Sequence, residues 1–221
     1  MERKIIVTKD GSHSISIPEL GVTYHSLHGA IRESIHVFIE AGFKFLIKDL
    51  FTPTINILEM GFGSGLNAFL TAIESEKIKR KVYYTALEKF PIPIEEAEEL
   101  NYSKMLGHEE LFRKFHRSNW NEHLMISEYF CFQKENICLQ NLSTSQQFNL
   151  IYYDAFAPNA QPELWTKEVF DKLFHVLEPN GVFVTYCSKG DVRRALIAAG
   201  FDVNKLPGPP GKREMLRAIK I

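Results

Sequence analysis

The chain has 221 residues, 45% of them hydrophobic and 24% charged, which suits one ordinary globular α/β domain over 1–221. A net charge of −1 excludes a wholly basic nucleic-acid binder, and no apolar run approaches the roughly 20 residues that span a bilayer. The start MERKIIVTKD has no apolar signal-peptide core, so a cytoplasmic location is expected.

Residues 1–50 read as an N-terminal part, with short strands over 4–24 around the turn KDGSHS. An amphipathic helix follows in HGAIRESIHVFIEAG: Ile31, Ile35, Phe38 and Ile39 share a face, and Gly42 suits the stop. His25 and His28 lack a third ligand and read as local hydrogen-bonding groups, so no metal is expected. Cys131, Cys138 and Cys187 are too few and too scattered for a disulfide framework or a cysteine zinc site.

From 51 to 221 strands and helices alternate. INILEM predicts a strand, GLNAFLTAIESEK a helix, KVYYTALE a strand and PIPIEEAEEL a helix with Pro at its head. Residues 101–125 read as a helical insertion. The segments EYFCFQ and FNLIYYD are strands, PELWTKEVFDKLFHVL a helix, GVFVTYC a strand and KGDVRRALIAAG a helix. FDVNKL and REMLRAIKI close the chain as an antiparallel hairpin around PGPPGK. This alternation predicts a doubly wound, mostly parallel sheet.

The turn LEMGFGSGLN lies between the first sheet strand and its helix, where glycines let a ligand approach the backbone. A dinucleotide loop would need glycine at 66, where Leu66 stands; here Gly61, Gly63 and Gly65 follow Glu59 and precede Asn67. An acid beside the loop suits an ammonium group better than a pyrophosphate, so the loop favours S-adenosylmethionine over NAD. Glu88 ends the next strand, placed for ribose hydroxyls, and Glu135 ends the following one, placed for the adenine edge. IYYDAFAPNAQPELW runs an apolar strand into Asp154. A turn or cap explains such an acid, but acids at the ends of successive strands favour a ligand-facing Asp154.

These residues resemble the class I methyltransferases, and more narrowly the MnmC-type tRNA methyltransferases. The matching segments are EMGFGSGLN, LEKFP, YYDAFAPNAQPELW, FVTYCSKGDVRRALIAAGF and GKREML, in order from 59 to 216, with SLHGAIRESIHVFI similar to the family's leading helix. The resemblance implies a Rossmann-like, seven-stranded sheet. It also implies S-adenosylmethionine at Gly61, Gly63, Gly65 and Glu88, and Asp154 as the active-site acid. The implied reaction is methylation of 5-aminomethyl-(2-thio)uridine at the tRNA wobble position. In the bifunctional family an FAD-dependent oxidase follows; this sequence ends at Ile221, so a separate oxidase or direct aminomethylation is the expected source of substrate. The family more often shows Asp where Glu135 stands.

For the RNA, Phe156 or Trp165 is a stacking platform, although Trp165 is equally suited to the core, and Pro158 shapes the same loop. Residues 189–221 hold eight Lys or Arg against three acids, a local +5, with Lys189, Arg193, Lys212 and Arg213 as phosphate candidates or plain surface. Two other readings remain at this level: a spermidine-synthase-like aminopropyltransferase, and a non-catalytic RNA-binding module that keeps the fold.

Overall fold

The computed structural model describes residues 2–49 and 52–221. The N-terminal part forms a three-stranded antiparallel sheet of β1 (Lys4–Val7), β2 (His13–Ile17) and β3 (Val22–Thr23). The next helical stretch comprises α1 (Ala30–Ser34), a π-helical segment over Ile35–Phe43 and α2 (Lys44–Asp49). It runs through Gly42 rather than stopping there. A Cβ on Gly42 would lie 3.0 Å from Val184 Cγ2 and 3.2 Å from Tyr152 Cε1. That glycine lets the helix pack closely on the sheet and terminates nothing.

The main sheet comprises β4 (Thr54–Met60), β5 (Lys81–Leu87), β6 (His123–Ser127), β7 (Phe130–Glu135), β8 (Phe148–Tyr153), β9 (Leu177–Thr185), β10 (Phe201–Pro207) and β11 (Glu214–Lys220). Their order is β10-β11-β9-β8-β4-β5-β7-β6. The inner strands pair in parallel, and β10 and β11 form the expected antiparallel hairpin. Among the described residues this sheet has eight strands rather than seven. The extra one, β6, pairs antiparallel with β7 at the far edge, within and just beyond the segment read as helical. The same insertion carries two short helices, α5 (Tyr102–Leu106) and α6 (Glu109–Arg117).

The remaining helices are α3 (Leu66–Ile78), α4 (Ile94–Glu98), α7 (Lys167–Val176) and α8 (Gly190–Ala198). The strand at 148–153 is apolar on both faces because helices cover both. Leu150 and Tyr152 face the core shared with α3 and the π-helical segment, while Ile151 and Tyr153 face the core under α7 and α8. Strand β4 alternates likewise, Ile55 and Ile57 to the first core and Leu58 and Met60 to the second. Glu59 is opposite Tyr152 in register. By this alternation Glu59 and the residue after β8's end, Asp154, face the α3 side together.

Helix α7 begins at Lys167 rather than at Pro162. Thr166 accepts a hydrogen bond from the Val169 N–H at 3.4 Å, capping the helix, and Pro162–Leu164 forms a separate 3-10 turn. Among the described residues no helix is long and apolar enough to cross a membrane.

Candidate active site

From β4 the chain winds one way through β5 and β7, then returns to β8 and β9 on the other side. The crevice at such a switch point, at the carboxyl ends of the strands, is where open α/β sheets bind ligands. Here a cleft of about 490 Å³ opens, walled by Gly61, Asn67, Glu88 and Asp154 and covered by Tyr24 and Phe156. Those two rings meet edge to face at 5.2 Å, so the N-terminal part packs on the loop after Asp154 and lines the cleft with it.

The glycine loop is built for close approach. Gly61, Gly63 and Gly65 have φ of +90°, +49° and +73°, a region L side chains rarely adopt. A Cβ on Gly61 would stand 2.7 Å from the Asp154 carbonyl oxygen, so only glycine lets the ends of β4 and β8 meet. The N–H groups of Gly61 and Phe62 both donate to the Leu87 carbonyl, tying the loop to β5. Glu88 continues that tie: its carboxylate accepts from Gly63 N–H at 3.0 Å and from Phe90 N–H at 2.8 Å. Each oxygen keeps a lone pair for a further donor.

The amide of Asn67, in the first turn of α3, joins two carboxylates. Its Nδ2 donates to Asp154 Oδ2 at 2.9 Å and to Glu59 Oε1 at 3.0 Å. Glu59 is 0% exposed and lies beneath the cleft rather than on its wall. The expectation that Glu59 itself meets a ligand ammonium is therefore corrected: it holds Asn67, and Asn67 faces the cleft. Strand parity explains this, since Glu59 points into the buried layer between β4 and α3. Glu59 Oε2 and Asn67 Oδ1 are buried without a partner. Burial, with the Asp154 charge adding to it, pushes the Glu59 carboxyl well above the ordinary range despite the Asn67 hydrogen bond. Asp154 is pushed up to about 7, by burial first and then by Glu33, against the opposing pull of Asn67 and Lys212.

The loop after Asp154 is fixed from below. Trp165 Nε1 donates to the Phe156 carbonyl at 2.8 Å, Tyr186 Oη donates to the Ala155 carbonyl at 2.8 Å, and Gln161 Oε1 accepts from Phe156 N–H at 3.0 Å. Trp165 is 6% exposed and meets Tyr153 edge to face at 5.0 Å. It is core and strut, and is withdrawn as a stacking platform; Phe156 remains on the cleft. Pro158 is half-buried in the loop but does not line the cleft. Nor does Glu135, whose side chain accepts from Gln133 at 3.1 Å. Its main chain does the positioning instead, accepting from Glu88 N–H at 3.0 Å, and Asn136 Nδ2 adds a bond to the Glu88 carbonyl at 2.8 Å.

The basic segment is less free than its charge suggests. Lys212 pairs with Glu33 at 2.7 Å, Lys205 with Glu214 at 2.8 Å, and Arg194 with Asp191. Lys220 donates to the carbonyls of Phe174 and Leu177, and the Arg217 guanidinium lies over Phe45. Lys189 is exposed and donates to Asn159, Arg193 is half-buried, and Arg213 is exposed with no ion pair among the described residues. Lys212 is therefore corrected from surface phosphate contact to a partner of a buried carboxylate.

Sequence reasoning missed Tyr24 and the link from His25 to the loop. His25 Nε2 lies 2.8 Å from Ser64 Oγ, and His116 Nε2 lies 3.2 Å from the Ser64 carbonyl. Burial lowers both rings to about 4, so both are neutral at pH 7 and act as hydrogen-bonding struts. His28 sits against Gly211 instead. Among the described residues no three His, Cys, Asp or Glu are arranged to hold a metal.

Fold and cleft together place a small-molecule site at the switch point of a doubly wound sheet. The model of the S-adenosyl-L-methionine-dependent methyltransferases matches residues 93–221, and the chain belongs to that family. Within it, the chain is similar to MnmC-type methyltransferase domains. It is 26% identical over 215 residues to the tRNA 5-methylaminomethyl-2-thiouridine biosynthesis bifunctional protein MnmC of Paraburkholderia xenovorans, covering 87% of this chain and 31% of the relative. To the protein of the same name from Leptospira borgpetersenii it is 30% identical over 207 residues, with the same coverages of 87% and 31%. The chain thus spans 31% of the length of these relatives. The crystal structure of MnmC2 from Aquifex aeolicus superposes with a TM-score of 0.79 at 25% identity, covering 98% of this chain and 70% of that one. Spermidine synthase from Thermotoga maritima shares the fold, with a TM-score of 0.59 at 14% identity, 99% of this chain and 68% of that one.

The family's cofactor is S-adenosylmethionine, and the cleft fits it. Gly61 and Gly63 line the cleft with backbone alone, while Gly65 stands behind them against Phe62 and His116 and does not line it; the volume lies within the range of small-molecule sites, and Glu88 offers open lone pairs beside the loop. Glu88→Ala is expected to weaken S-adenosylmethionine binding by roughly 1.5–3 kcal/mol, about ten- to a hundredfold, by titration calorimetry. Unchanged affinity would place the ribose elsewhere.

Proposed function

We propose that the protein methylates the primary amine of 5-aminomethyl-(2-thio)uridine at the tRNA wobble position, giving the 5-methylaminomethyl nucleoside. The observation that carries this is Asp154, beside the glycine loop, oriented by Asn67 and raised to about 7. The names of the MnmC relatives supply the nucleoside. Bound S-adenosylmethionine supplies an electrophilic methyl group.

The remaining work falls to the chain's own residues. An alkylammonium has a pKa of about 10.4 by analogy with lysine, and its nitrogen has no lone pair until a proton leaves. An ordinary Asp near 3.9 is some six pH units too acidic to take that proton; at about 7 the gap narrows to roughly half. Asp154 thus both pairs with the ammonium and accepts its proton, while Asn67 fixes the oxygen that does so. The edge-to-face rings of Tyr24 and Phe156 cover the cleft, exclude water and offer Phe156 to stack on the splayed base. Lys189, Arg193 and Arg213 contact the RNA backbone. A separate FAD-dependent oxidase or a direct aminomethylation supplies the amine, in the cytoplasm with the tRNA.

Mass spectrometry of wobble nucleosides from cells with and without the gene tests this. Loss of the gene is expected to leave the 5-aminomethyl nucleoside unmethylated, and restoring it to return the methyl. An unchanged nucleoside profile would refute the assignment.

A further inference from the structure

Glu33 is a carboxylate the chemistry above does not use. It projects inward from α1 and is 5% exposed. Its Oε2 accepts from Ser26 N–H at 2.7 Å, and its Oε1 accepts from Lys212 Nζ at 2.7 Å. Lys212 arrives from the Pro/Gly loop between β10 and β11, 179 residues away along the chain. Its ammonium also lies over the Tyr186 ring, 3.8 Å from the centroid. Tyr186 in turn bonds the carbonyl of Ala155, the residue after Asp154. The ion pair is therefore seated against the wall that carries Asp154, and both members act on that carboxylate: Glu33 pushes it up and Lys212 draws it down.

A buried ion pair adds little net stability, because desolvation offsets most of the attraction. What this one does accomplish is chemical. Lys212 carries the same functional group as the substrate, a primary alkylammonium. Left without Glu33 it would be an unpaired ammonium in competition with the substrate for a carboxylate. Conversely, Glu33 without its lysine would be a second anion near Asp154.

We propose that Glu33 and Lys212 form a positioning couple for the amine site, in which Glu33 holds the Lys212 ammonium away from Asp154 and so leaves that carboxylate to the substrate. This rests on amine methylation at Asp154 as the protein's reaction. The other titratable and charged groups around Asp154 are Glu59 from β4 through the shared Asn67, then Arg3, His25, Glu88, Lys89 and Glu163 on the same cleft, and the phenols of Tyr186 after β9, Tyr84 from β5 and Tyr102 from α5, which feel its charge. Burial pushes the three phenols upward, so they stay neutral while Asp154 titrates.

The couple makes two substitutions act with opposite sign. In the protein free of RNA, the Asp154 carboxyl is followed by carbon-13 NMR titration, assigned by its absence in Asp154→Asn. Glu33→Gln removes a like charge and is expected to lower the Asp154 midpoint by about one pH unit; Lys212→Met removes an opposite charge and raises it by about as much. The double substitution returns it near the wild-type value. In steady-state methylation of aminomethyl RNA, Glu33→Gln is expected to raise KM several-fold more than it lowers kcat. If Glu33→Gln does not fold, Lys212→Met against the double variant carries the same comparison. Shifts of the same sign, or none, overturn the couple. So does a fall of about one in the salt slope of RNA binding in Lys212→Met, which would make Lys212 a phosphate contact. Opposed shifts in the two variants of a protein that methylates no amine would refute the proposed function, and with it the couple's role for a substrate amine, leaving only the electrostatic action of Glu33 and Lys212 on Asp154.

Discussion

Asp154→Asn is expected to slow methyl transfer by about 10²–10⁴-fold while leaving S-adenosylmethionine affinity near that of the wild type. The substitution keeps the size and one acceptor oxygen for the Asn67 amide, but removes the charge proposed to pair with an ammonium and to take its proton. Asn is also a good turn and cap residue, so a purely structural Asp154 would leave turnover unchanged. The pH dependence separates the cases further. In the wild type, activity falls as pH drops through about 7, where Asp154 takes up a proton. The Asn variant lacks that limb, so the gap between the two is widest above pH 7. Single-turnover methylation across pH checks it.

The same carboxyl makes a stability prediction with a definite sign. Its folded pKa lies above the unfolded value of 3.8, so the folded state binds the proton more tightly. The stability it contributes is complete below about 3.8 and is lost as pH rises through about 7. Asp154→Asn is therefore expected to melt higher than the wild type at pH 8, with the difference closing toward pH 4. A variant more stable and far less active is what a functional carboxylate held in an unfavourable setting yields.

Trp165→Ala is expected to cost about 3–5 kcal/mol in urea unfolding, the range for removing a large aromatic side chain from a core. The ring sits between Tyr153 and Tyr186, and its Nε1 donor holds the carbonyl of Phe156 on the cleft. Trp165→Phe keeps most of the packing and loses the donor, leaving a part-buried carbonyl short of its partner at about 1–3 kcal/mol. Solvent-exposed Trp165 would instead make both changes nearly neutral, within about 0.5 kcal/mol.

What could be read in the sequence follows from how local its cause is. Asp154 was legible because an apolar run that ends in an acid is a one-dimensional pattern, and in a doubly wound sheet strand ends face the crevice. The glycine loop was legible for the same reason. Glu59 was misplaced because its direction depends on strand parity against a neighbouring strand, and the alternation of β4 shows only when both faces are known to be buried. Gly42 reads as a stop along the chain; its reason for being glycine lies in Tyr152 and Val184, which belong to other strands. Strand β6 carries little period-2 signal, since only Ile126 on it is buried. Lys212 looked like surface because its partner lies 179 residues away. A trace of that partner was present: Glu33 is a charge between Ala30, Ile31 and Ser34, on the buried side of an amphipathic helix.

The reaction proposed for this cleft joins a methyl group to an amine on RNA. The most direct measurement uses purified protein, methyl-labelled S-adenosylmethionine and an anticodon stem–loop bearing 5-aminomethyl-2-thiouridine, followed by nucleoside mass spectrometry. The expected result is label on the side-chain nitrogen of that one nucleoside, dependent on Asp154. Label on a ring or ribose position, or none from protein that binds the cofactor, would contradict it.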